Sequence, residues 1–245
     1  MSMPRLAPLV LAAHGSPHPA HRPAVLSLRD AVARASGGGR VEVGWLGFDQ
    51  PHLTDAAAAA ASRVGTPAWA GGPSAVVVPL LLTAGYHARV DVPEAVRDVP
   101  GVVVSAVLGP DELLAAALDR RLREAGARPR DRVVVAAAGT SDGAARAQTE
   151  QVAALLAARR AGPVGTAYAT GPGERVSAAA ARLPGRGPVF VATFLLGPGT
   201  LADRLAEDAA QAGGRATAPL GTAPEVIELV LRRWRDAAGP AARAA

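Results

Sequence analysis

Residues 9–13, LVLAA, form an apolar run that ends on His14, followed at once by Gly15, Ser16 and, after one proline, His18. A second apolar run, VVVPLLLTAGY, ends on His87, in a chain of 245 residues with five histidines. Neutral imidazole binds divalent first-row metals and also accepts protons near neutral pH. Two imidazoles at neighbouring strand ends therefore predict a metal-binding cleft. Gly15 and Ser16 suit an anion-binding turn that opens toward the amides of the next helix, although an ordinary strand-to-helix turn needs the same residues. His18 and His21 lie in a Pro-rich loop and are expected in solvent. His52 in DQPHLTDA is expected to open a helix, and Asp49 and Gln50 before it can face the cleft. In HARVDVPEAV, Asp91 is expected to cap a helix starting near Pro93, with Glu94 in its first turn. A second role for Asp91, as partner of His87, is compatible with that cap.

The elements that must position these residues are short buried strands alternating with Ala/Leu-rich helices. Predicted strands cover 9–13, 41–46, 75–82 and 102–108, then 133–137, 163–169, 188–195 and 215–220. They are continuous apolar runs, the pattern of strands covered on both faces. Segments such as PAVLSLRDAVARA and ELLAAALDRRLREAG carry helical periodicity and end near glycine. The alternation implies parallel, doubly wound sheets, with ligands bound beyond the carboxyl ends of the strands. In a strand order of 2-1-3-4, the first and third strands are neighbours, which would bring His14 and His87 side by side.

The chain is also written twice. LVLAAHGS at 9–16 answers VVVAAAGT at 133–140, and VLGPDELLAAALDRRL at 107–122 answers PLGTAPEVIELVLRRW at 219–234. The expected fold is α/β, two flavodoxin-like halves, each a mainly parallel four-stranded sheet flanked by helices. The predicted boundary lies in AGARPRD at 125–131, giving an active half at 1–126 and a degenerate repeat at 127–245. The repeat works as a control: His14 faces Ala138 and His87 faces roughly Thr200. The strands and turns persist without either imidazole, so folding does not require them.

Composition narrows the chemistry further. Cys is absent, which excludes disulfides, thiolate metal sites and a cysteine nucleophile. All 26 basic residues are Arg, so no Walker-type or Schiff-base lysine exists. The +5 net charge comes from scattered arginines, and with 3% aromatic residues no nucleic-acid partner is expected. No dinucleotide Gly-rich fingerprint is present. No run is long enough to span a membrane, and residues 1–8 lack the apolar core of a signal peptide. A cytoplasmic protein without a membrane partner is expected.

Together, LAAHGSPHP and VVVPLLLTAGYHARVDVP resemble the signature segments of the sirohydrochlorin chelatases, the CbiX/SirB branch of the class II chelatases. That pattern reads here as His14-Gly15-Ser16, Pro79, Gly85-Tyr86-His87 and Asp91-Val92-Pro93. The resemblance implies insertion of a divalent ion, Fe2+ to give siroheme or Co2+ for cobalamin synthesis, into a polycarboxylate tetrapyrrole. The metal is then a substrate and no organic cofactor is needed. It further implies His14 as base and ligand and His87 as second ligand. The macrocycle would be lined by Leu82, Thr83, Ala84, Gly85 and Tyr86, with Gly15, Ser16, Asp49 and Asp91 also at the substrate. A monomer with pseudo-twofold halves is expected. Family members often carry an acid after the aromatic-Leu pair; here Gly47 follows Trp45-Leu46, and Asp49 is the candidate replacement. Two non-enzymatic alternatives stand beside it: a tetrapyrrole or metal carrier without turnover, and a nucleotide-binding flavodoxin-like module, against which the missing Gly-rich fingerprint and the few aromatics speak.

Overall fold

The computed structural model describes residues 7–37, 39–62 and 72–239. Most of the N-terminal stretch at 1–8 considered above lies outside them. The first sheet contains β1 (Leu9–Ala13), β2 (Val41–Trp45), β3 (Ala75–Pro79) and β4 (Val102–Val104), ordered β2-β1-β3-β4. The second contains β5 (Arg132–Ala137), β6 (Val164–Tyr168), β7 (Val189–Phe194) and β8 (Arg215–Ala216), ordered β6-β5-β7-β8. Every ladder is parallel, as the apolar runs require. β1 is buried throughout, its five residues being no more than 2% exposed.

Three strands stop short of their apolar runs. β3 ends at Pro79, not at residue 82, and β4 and β8 end at Val104 and Ala216. β4 and β8 are edge strands with a neighbour on one side only. The apolar residues beyond them are buried in loops instead. Leu108 and Leu220 are both fully buried, and their amides donate to the carbonyls of Leu81 and Leu195, each at 2.9 Å. Hydrophobicity marks burial here, and the ladder ends sooner.

The helices are α1 (His21–Ala35), α2 (Leu53–Ser62), α3 (Val92–Val96), α4 (Glu112–Glu124), α5 (Gly143–Ala157), α6 (Val176–Arg182), α7 (Thr200–Gln211) and α8 (Pro224–Ala238). α1 buries Val25, Leu28, Ala31 and Val32, one stripe at helical spacing. α4 starts where the Asp111 carboxylate accepts from the Leu113 amide at 3.0 Å, and Gly126 at φ 87° follows its end. Among the described residues, no helix is long and apolar enough to cross a membrane.

Packing groups the chain into two compact units. One comprises residues up to Leu81, Tyr86–Leu108 and the chain from Ile227 on; the other comprises Leu82–Gly85 and Gly109–Val226. Most of α8 thus completes the unit that begins with β1. There Trp234 Nε1 donates to the Ala7 carbonyl at 2.9 Å. Arg233 donates to the carbonyls of Val107 and Leu108 at 2.8 and 2.9 Å. Inside the other unit, the Arg120 guanidinium forks onto Glu225 at 2.7 to 3.0 Å. That bond holds the Glu225 carboxyl below its usual range.

Candidate functional site

His14 leaves the end of β1 at the carboxyl edge of the sheet. Its ring nitrogen Nδ1 lies 3.1 Å from the Gly15 carbonyl. A carbonyl only accepts, so Nδ1 carries the proton and Nε2 carries the lone pair. Gly15 is at φ 87°, and a Cβ built there would lie 2.0 Å from the Gly47 carbonyl oxygen. The turn therefore requires glycine, because the loop after β2 crosses directly over it. Ser16 spends its hydroxyl locally, accepting from the His18 amide at 3.2 Å. His18 is also used locally: its Nδ1 accepts from the Ala20 amide at 3.2 Å.

His87 opens a π-helical turn, His87–Asp91, that runs into α3. The Val92 amide donates back to the His87 carbonyl. Within that turn the Asp91 carboxylate accepts a hydrogen bond from His87 Nδ1. Asp91 does not cap α3, as the sequence suggested. Its backbone is already helical and its side chain makes no capping bond, because the helix runs on from the π turn and its amides are satisfied from behind. In the neutral ring the bond to Asp91 leaves the lone pair on His87 Nε2, as on His14. The two imidazoles stand edge to face, 4.3 Å between centroids and 65° between planes.

An open cleft of about 530 Å³ lies beside them, lined by His14, Gly47, Phe48, His52, Asp91 and Glu94 among others. His87 is not part of that lining; its ring rests against His14, with nearly half of its side chain (48%) exposed. Phe48 and Tyr86 are exposed, and each ring lies 6.2 Å from one imidazole, Phe48 from His14 and Tyr86 from His87. His52 precedes α2, as expected, and lines the cleft as well, its Nε2 accepting from the Gln50 amide at 2.8 Å. Among the described residues, no group of three or more His, Cys, Asp or Glu is arranged to hold a metal ion.

Of the residues expected around the macrocycle, Tyr86 and Asp91 sit with the histidine pair. Asp49 does not line the cleft; Arg22 draws its carboxylate away at 3.1 Å. Leu82, Thr83, Ala84 and Gly85 belong to the other unit, where the Ala84 amide donates to Gln148 Oε1 at 2.7 Å. Phe48 and Glu94 also line the cleft, although the sequence marked Glu94 only as a helix-start residue and gave Phe48 no role.

The CbiX family model matches residues 8–125 and again 132–237. The chain belongs to the CbiX family. A protein of Sulfurisphaera tokodaii named sirohydrochlorin cobaltochelatase is 36% identical over 86 residues, 34% of this chain and 66% of that protein, just under two thirds of its length. SirB from Bacillus subtilis with Fe3+ superposes with a TM-score of 0.78 at 23% identity, covering 94% of this chain and 95% of that one. SirB from Bacillus subtilis subspecies spizizenii in complex with cobalt gives 0.76 at 20% identity, covering 94% of each chain. At those identities the two structures speak for the fold alone. Each CbiX match holds one four-stranded sheet, and the paired imidazoles fall within the first match.

Proposed function

We propose that this CbiX-family protein is a sirohydrochlorin chelatase, a lyase that inserts a divalent metal ion into sirohydrochlorin. Fe2+ is the first reading for that ion, with siroheme as product. The observation that carries the proposal is the 4.3 Å contact of two rings whose Nδ1 atoms are both engaged. Both Nε2 lone pairs are thereby kept for an incoming ion, and the carboxylate of Asp91 fixes and strengthens one of them. Insertion requires an ion held loosely enough to be given up while two pyrrole N–H protons depart. Two neutral imidazoles without a carboxylate ligand suit that better than a closed site does. His14 and His87 hold the ion as substrate; as coordination loosens, His14 takes one of the two protons from the macrocycle and the other passes to solvent water. No organic cofactor takes part. The duplicated chain supplies both sheets, so it works as a monomer, in the cytoplasm.

A second reading keeps the chemistry and changes the ion. The Sulfurisphaera tokodaii relative is named a cobaltochelatase, and imidazole binds both ions, Co2+ the more tightly. Anaerobic insertion followed by absorbance, with each ion in turn and in competition, decides between them. In the same assay, His14→Ala and His87→Ala should each lose about 100-fold or more of the rate, the scale of a general base, with unchanged circular dichroism. Near-parental turnover in both variants removes the site assignment. Tight sirohydrochlorin binding without insertion by the parent chain makes it a carrier.

A further inference from the structure

Phe48 has a left-handed backbone, φ 63°, and is the one non-glycine residue with positive φ among those described. Strand register identifies its counterpart in the other sheet. Trp45 and Tyr168 are the last residues of β2 and β6, paired with Ala13 and Ala137. Three residues on, Phe48 matches Gly171, whose φ is 68°. The two loops are fastened alike, Leu46 N–H to the Ala13 carbonyl and Ala169 N–H to the Ala137 carbonyl, both at 2.9 Å. This loop therefore needs a left-handed residue in both places. One unit uses glycine, which adopts that conformation freely. The other uses phenylalanine, which is strained there, and burial returns nothing because Phe48 is 69% exposed.

Two further observations bear on the purpose of that ring. It lines the cleft and lies 6.2 Å from His14, tilted by 41°. Among the described residues the exposed aromatics are Phe48 and Tyr86, each beside one of the paired imidazoles. We infer that Phe48 is a substrate-contacting residue whose ring packs on the face of a flat conjugated macrocycle and sets that face above His14. This rests on the chelatase reading and adds to it a determinant of macrocycle position separate from the metal ligands.

The test is Phe48→Gly, which installs the residue used by the other unit, beside Phe48→Tyr, which keeps the ring. Metal-free sirohydrochlorin is titrated by absorbance, Co2+ alone is titrated in parallel, and Tm is recorded. Phe48→Gly should weaken sirohydrochlorin binding about tenfold, the equivalent of 1.4 kcal/mol. Its Co2+ affinity should be unchanged and its Tm equal to or above the parent's. Phe48→Tyr should bind within about threefold of the parent, the lower end of an aromatic contact. Parental binding by Phe48→Gly, or equal weakening in both variants, overturns the inference alone. So does a Tm several degrees lower in Phe48→Gly, which would make the ring structural. A parent chain that binds no sirohydrochlorin overturns the chelatase reading, and this inference with it.

Discussion

After β1 the chain turns through His14, Gly15 and Ser16; after β5 it turns through Ala138, Gly139 and Thr140. In each, a Cβ on the glycine would lie 2.0 Å from a carbonyl of the neighbouring loop, Gly47 in one and Thr170 in the other. In each, the following hydroxyl accepts from the amide two residues on, His18 at 3.2 Å and Asp142 at 3.1 Å. Those two residues then accept from the amides of Ala20 and Ala144. His18 accordingly does the turn-forming work that Asp142 does in the repeat. The difference begins at the imidazoles. Pro79 and Thr193 pair with Ala12 and Ala136, so His87 stands opposite Leu201, one residue beyond the Thr200 suggested by the sequence. Beyond that point the count shifts, because the π turn adds a residue: the buried pair Leu205 and Ala209 of α7 answers the buried pair Val92 and Val96 of α3, and Leu201 packs against the cluster that holds Leu205. Where one unit has a hydrogen-bonded histidine beside a cleft, the other has a leucine packed on its core. The repeat shows that the scaffold accepts an apolar side chain in place of His87, so the imidazole needs another reason.

Substitutions at matched positions test that contrast, and the largest effect is expected at the glycines. Gly15→Ala and Gly139→Ala should each lower stability by about 3 kcal/mol or more, through positive φ and a backbone clash together, measured by denaturant unfolding. Only Gly15→Ala should also abolish metal insertion in the residual folded protein. Equal activity loss in both would erase the division between the two units. Next comes Asp91→Leu, which removes the carboxylate that holds His87. Co2+ affinity should fall about 10- to 100-fold, the usual loss when the partner of a ligating histidine is removed, and Asp91→Glu should restore part of it. Leu205→Asp, which puts a carboxylate into the core of the other unit, should unfold the protein without creating a metal site. Gly47→Glu is milder. Gly47 lines the cleft, and a Cβ there would meet nothing nearer than the His14 carbonyl at 3.9 Å. An acid at this position should change the ratio of Fe2+ to Co2+ insertion by about threefold or more, because carboxylate adds a harder ligand. An unchanged ratio would show that position 47 does not reach the ion.

The smallest effect concerns the unit without histidines at its turn. The bond from Arg120 lowers the pKa of Glu225 in the folded state. A lowered carboxyl pKa stabilises above the ordinary carboxylate range, and the gain disappears as pH falls through the folded value. Glu225→Gln should therefore cost a few degrees of Tm at neutral pH and nothing once the pH lies below that value. A pH-independent difference would mean that packing, not charge, holds this contact.

The duplication, the strand order and the nearness of the two strand ends could be read from the chain because they follow from apolar runs and turn residues. Strand ends could not, since Leu80, Leu108 and Leu220 remain buried after their ladders stop. The π-helical turn at His87–Asp91 has no composition of its own, which is why Asp91 looked like a cap. Phe48 was equally hidden, because φ is not written in a side chain; its one trace is the glycine at 171. The ion pair of Asp49 was hidden too, because its partner, Arg22, lies 27 residues away in sequence.

The exchange at the end of the chain bears on the order of assembly. During synthesis, everything the second unit needs has left the ribosome once Val226 is out. The unit that starts with β1 must still wait for Trp234 to reach the Ala7 carbonyl. Of the two, the unit that holds His14 is thus the one whose last segment lies further along the chain. A nascent chain halted at Val226 should protect the second sheet from protease and leave the first susceptible.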